Sequence, residues 1–177
     1  MNLPLVMTII GRDRPGLVDL VAKVVMEHGG NWLESRMSHL SGQFAGILRI
    51  DVPADRQQSL IASLQSLEAQ GLKIVVHPGT PERPSESRAL AELHLMGHDR
   101  PGIVCKISHC LAQNNVNVEE LKTECSSAAM SGDMLFKTEA KLQLPDGLDV
   151  NALRQSLEKI AGDLMVDVTL SEKKPSV

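Results

Sequence analysis

Residues Gly11–Val18 read "GRDRPGLV" and residues Gly97–Val104 read "GHDRPGIV", the same turn at an interval of 86 residues. Each follows a short apolar run, "LVMTIIG" in the first instance and "LAELHLMG" in the second, and both runs suit strands. After each turn the apolar residues recur at helical spacing: Leu17, Val18, Val21, Val24 and Val25, then Ile103, Val104, Ile107, Cys110 and Leu111. A strand-to-helix turn is therefore spelled twice. Proline pre-sets the angle of a first helical residue, while glycine permits close packing or an angle that other residues avoid. The turn aims a helix N-terminus at the end of the first strand, where free backbone N–H groups suit a carboxylate or a phosphate.

Working outward, the same interval carries Asn31 onto Asn117 and Glu34 onto Glu120. "HGGN" and "QNNVN" stop the two helices. "NWLESRMSHL" and "QFAGILRIDV" flank a Ser-Gly turn and form a hairpin, as do "NVEELKTECS" and "GDMLFKTEAKLQL". Pro53 aligns with Pro145 once the second copy is given about six extra residues, which "ECSSAAMSGD" supplies. Leu60, Ile61, Leu64 and Leu67 mark a second helix, with Leu153, Leu157 and Ile160 as its counterpart, and "LKIVV" and "LMVDVTL" close the copies as strands. The order βαββαβ, twice, predicts an α+β chain of two ferredoxin-like units, each a four-stranded antiparallel sheet with two helices on one face. We expect a first domain over 1–77, a Pro-rich linker over 78–88, a second domain over 89–172 and a tail over 173–177.

Hydrophobic residues make up 42% of the 177, but aromatics only 2%, so both cores must be aliphatic. The net charge is −4 with no compensating run of Lys or Arg, which argues against direct nucleic-acid binding. "MNLPLVMTII" lacks the basic start and cleavage site of a leader, and no stretch is long enough to span a bilayer; we expect a cytoplasmic protein without a membrane partner. Cys105, Cys110 and Cys125 have no equivalents in the first copy and are expected to be reduced thiols.

The six histidines include no pair at metal-binding helical spacing with an acidic third ligand. Ser126, Ser127 and Ser131 have no His–Asp pair placed to activate them, and no P-loop or dinucleotide fingerprint is present. These observations predict a chain without catalytic residues, metal or cofactor. Simple structural roles are open to the turn residues as well. Asp13 and Asp99 can cap the helix N–H groups, Arg14 and Arg100 can lie in solvent, and Asn31 and Asn117 can close the first helix of each copy.

The repeated "DRPG(L/I)V" turn with its distal Asn, in a βαββαβ frame, resembles the ACT domain, a regulatory module that commonly binds amino acids. Two such units and little else resemble the glycine cleavage system transcriptional repressor family. The resemblance implies a ligand between paired domains, touching the turn of one and the start of the second strand of the other. On this chain those positions are Asp13, Arg14, Pro15, Gly16 and Leu17 with Asn31, and Asp99, Arg100, Pro101, Gly102 and Ile103 with Asn117. Ligand-binding turns of the family often carry Asn where Asp13 and Asp99 stand; aspartate repels a carboxylate but pairs with an α-ammonium. The implied ligand is a small amino acid, glycine or serine first. The implied partners are a second copy of the chain and a DNA-binding regulator. A ligand-independent interaction module is the alternative.

Overall fold

The structure, a computed structural model, describes residues 1–79, 89–127 and 133–173. The chain divides into two units, Met1–Arg83 and Pro84–Val177. Most of the Pro-rich stretch and the centre of the inserted loop lie outside the described residues.

In the first unit the order is β1 (Asn2–Arg12), α1 (Leu17–Glu27), β2 (Asn31–Leu40), β3 (Gln43–Pro53), α2 (Gln57–Ser66) and β4 (Leu72–Pro78), with a short 3-10 turn on either side of α2. The second unit repeats it as β5 (Leu90–His98), α3 (Ile103–Gln113), β6 (Asn117–Ser127), β7 (Met134–Gln143), α4 (Val150–Leu164) and β8 (Val166–Lys173). The strand orders are β2-β3-β1-β4 and β6-β7-β5-β8. All neighbours are antiparallel. Strands β4 and β8 end at Pro78 and Lys173, each one residue past the boundary expected from the sequence.

Alternation along the strands decides which face is covered. Leu5, Met7 and Ile9 of β1 and Leu48, Ile50 and Val52 of β3 are buried against Leu17, Val21 and Val25 of α1 and Leu60 and Leu64 of α2. Leu93, Leu95, Leu142 and Leu170 meet Ile107, Leu111, Leu153 and Leu157 in the same way. Each such side chain contributes roughly 1.5–3 kcal/mol when fully buried, so aliphatic residues suffice for both cores. Val18 and Val104 belong to the helical stripes in sequence yet are 47% and 43% exposed. Each lies one residue, about 100° of helix, beyond the buried Leu17 or Ile103.

The hairpin tips are where the copies differ in length. His39 pairs with Phe44 across the two-residue turn Ser41–Gly42, whereas Cys125, at the position equivalent to His39, pairs with Phe136 across a loop six residues longer. Both β2 and β6 carry a bulge two residues after their first residue, between Trp32 and Glu34 and between Val118 and Glu120.

Candidate functional site

Each turn leaves the central strand and is held from the side by the hairpin tip. The Asp13 N–H donates to Gly42 O at 2.9 Å, and the Asp99 N–H to Met134 O at 2.9 Å. Gly16 (φ 90°) and Gly102 (φ 94°) are left-handed N-caps of α1 and α3. Apart from the chain neighbours, no atom of the described residues lies within 4 Å of the position a Cβ would take at either glycine. The backbone angle, not crowding, demands glycine there.

This corrects the expected place of the prolines. Pro15 and Pro101 precede the left-handed glycine, so they stiffen the turn and are not the first residues of their helices. The first helical bonds run from Leu20 N to Gly16 O at 2.9 Å and from Lys106 N to Gly102 O at 3.0 Å. The N–H groups of Leu17, Val18 and Asp19, and of Ile103, Val104 and Cys105, thus precede the hydrogen-bonded part of each helix. Neither N-cap supplies a side-chain bond to them. Helix α4 is built otherwise: the Asp149 carboxylate accepts from Asn151 N at 3.0 Å and Ala152 N at 3.1 Å.

The structural role expected of Asp13 therefore fails. Its carboxylate lies 3.7 Å from His39 Nε2 on the hairpin. In the second copy Cys125 stands where His39 does, so this pairing has no counterpart at Asp99. The arginines are tied to the turn before the last strand. Arg14 Nη2 donates to Gln70 O at 3.3 Å, while Arg100 Nη2 donates to the softer acceptor Met165 Sδ at 3.9 Å.

Asn31 and Asn117 are not the residues that close the helices. That work falls to His28, whose Nδ1 donates to Val24 O at 2.8 Å, and to its equivalent Asn114, whose Nδ2 donates to Cys110 O at 2.8 Å. Asn31 and Asn117 instead open β2 and β6, and both are exposed. They also lie far from the turns of their own units. Asn31 pairs with Asp51, which pairs with Pro4, eight residues along β1 from Arg12. Asn117 pairs with Gln143 and so with Leu90, eight residues from His98. At about 3.3 Å per residue the separation is roughly 26 Å. No single unit can bring its own turn and its own Asn onto one small ligand.

Among the described residues no group of three or more His, Cys, Asp or Glu is placed to hold a metal ion. Cys105 and Cys125 are exposed, and Cys110 is a core residue whose thiol is pushed up by burial. No helix among the described residues is long and apolar enough to cross a membrane.

The model of the ACT domain matches residues 4–77. A UPF0237 protein from Methanopyrus kandleri is 34% identical over 84 residues, which cover 47% of this chain and 87% of that protein. The chain belongs to the ACT-domain family. Its tandem ACT architecture recurs in solved structures of nearly the same extent. A protein of unknown function from Galdieria sulphuraria aligns with a TM-score of 0.87 and 26% identity over 98% of this chain and all of that one, 100%. A candidate glycine cleavage system transcriptional repressor aligns with a TM-score of 0.72 over 98% of this chain and 99% of its own. At 20% identity the second likeness shows a shared fold.

Proposed function

We propose that this tandem ACT protein is an amino-acid-responsive regulator, an accessory transcriptional regulator of glycine cleavage and one-carbon metabolism that acts through protein partners. The observation that carries the reading is the pair of helix N-termini opened by left-handed glycines, each with an Asp and an Arg in its turn. Uncapped N–H groups hold a carboxylate, and the aspartate pairs with an α-ammonium. The distance between turn and Asn within a unit supports a ligand shared by two units: Asp13, Arg14, Pro15, Gly16 and Leu17, or Asp99, Arg100, Pro101, Gly102 and Ile103, from one, with Asn31 or Asn117 from another. Glycine and serine are the first candidates, and a homodimer is one way to bring units together.

The negative net charge leaves contact with DNA to a partner protein, and nothing in the turns assembles a catalytic group. In this reading the chain is not an enzyme and works in the cytoplasm. Binding is coupled to partner association because the ligand prefers one assembly state. The test is thermal unfolding against a panel of amino acids. Ligand at about 100 times its Kd adds roughly 2.7 kcal/mol. We expect glycine or serine to raise Tm and Asn31→Ala or Asn117→Ala to abolish the shift with the fold intact; an unchanged Tm across the panel contradicts the reading.

One observation favours a ligand-independent interaction module instead. Ile10, Ile47 and Val75 lie on the face of the first sheet away from the helices, and are 49%, 46% and 42% exposed. Partner affinity unaffected by saturating ligand would decide for this second reading.

A further inference from the structure

The two units differ beneath their second strands. In the first, Trp32 is the residue just before the bulge of β2, packs against the core and directs its Nε1 to Ser35 Oγ at 3.3 Å, so the indole lies along the strand. In the second, Val118 and Leu121 take the places of Trp32 and Ser35, and Ala140 takes that of Leu48. Val118 is shorter than Trp32 and Ala140 shorter than Leu48, although Leu121 is longer than Ser35, and a groove opens between α3 and β6 with a cavity of about 30 Å³. Its walls are Leu95, Ile103, Ile107 and Ala140, and Val104, Val118 and Leu121 form an apolar rim, 43%, 37% and 52% exposed.

One wall residue does not fit an apolar slot. Thr138 also lines the groove, is only 5% exposed, and its Oγ1 is buried without a hydrogen-bond partner among the described residues. Leaving a buried hydroxyl unpaired costs stability that valine, the isosteric residue, would not. A lone water would be poorly held, since it needs two to four polar partners. The other hydroxyl on the wall, Ser108 Oγ, is already bonded to Cys105 O at 3.1 Å. Ile103 and Val104, whose N–H groups open α3, stand at the same groove. An apolar slot, a buried hydroxyl and an uncapped helix N-terminus thus adjoin.

We infer that this groove in the second unit binds a branched aliphatic acid carrying one hydroxyl: a methyl of the branched group enters the slot, its hydroxyl pairs with Thr138 Oγ1, and its carboxylate meets the first turn of α3. The inference rests on the reading of the chain as an amino-acid-responsive regulator, and it gives the second unit a selectivity that the first, which has Trp32 and Gly46 at the places of Val118 and Thr138, lacks. Threonine and valine are the probe pair, isosteric apart from the hydroxyl, and calorimetric titration of the full chain compares them.

Threonine should bind about tenfold tighter than valine. Thr138→Val should erase that preference while raising Tm in the absence of ligand, because the unpaired hydroxyl is gone. Val118→Trp, which copies the first unit at an edge strand, should remove threonine binding and leave any glycine or serine response unchanged. Equal binding of threonine and valine, or threonine binding that survives Val118→Trp in a folded protein, overturns the groove and leaves the regulatory reading standing. Silence toward every amino acid overturns both.

Discussion

Gly16 and Gly102 do the same work at equivalent places, and that work is conformational. Since a Cβ at either position meets nothing within 4 Å, substitution is opposed by the left-handed backbone alone. Gly16→Ala and Gly102→Ala should each lose about 1–2 kcal/mol, measured by urea unfolding, with the asparagine variants losing less. An alanine variant as stable as the parent would mean that the turn can relax to a negative φ. The glycines were legible in the repeated "DRPG", but the uncapped helix starts were not, since the same turn offers Asp13 and Asp99 as caps. The partners of Asp13 and Arg14 were not, because His39 and Gln70 reach the turn through the hairpin and the α2–β4 connection, contacts that no local spacing encodes.

At the scale of elements, the two sheets bear different outer faces. The first carries Ile10, Ile47 and Val75, while β6 and β7 of the second set Glu120 against Lys141, Lys122 against Glu139 and Glu124 against Lys137. Only the first of these pairs is drawn tight, with Lys141 Nζ 2.6 Å from Glu120 Oε2. Cross-strand pairs of opposite charge stabilise a solvated sheet face by a few tenths of a kcal/mol up to about 1 kcal/mol each, and like charges opposite one another destabilise it. Lys141→Glu should therefore lower stability by about 1 kcal/mol, and the loss should shrink in 1 M salt as screening shortens to about 3 Å. A loss indifferent to salt would place the role of Lys141 in packing. Element order, the hairpins and the six-residue extension could be read from periodicity and from the shift between Pro53 and Pro145. The bulges and the groove under β6 could not, since they depend on which side chains face each other across strands.

At the scale of the molecule, duplication gives the chain two turns and two Asn-headed strands, and sheet geometry keeps each turn about 26 Å from the Asn of its own unit. In the proposed reading, a ligand that needs both is shared between units, and this ties amino-acid binding to assembly. The copies have also diverged: Asp13 faces His39 and Arg14 holds a backbone carbonyl, whereas Arg100 meets a thioether and Asp99 has cysteine where His39 would be. Among the described residues the second turn is the less satisfied by its own unit. The most direct measurement is an amide NMR titration of the full chain with glycine, serine and threonine. Ligand should perturb the N–H signals of Ile103, Val104 and Cys105, or of Leu17, Val18 and Asp19, together with Asn31 or Asn117 at the far end of a sheet. Perturbations at neither helix start, with the amino acids at tens of millimolar, would contradict amino-acid sensing at these turns.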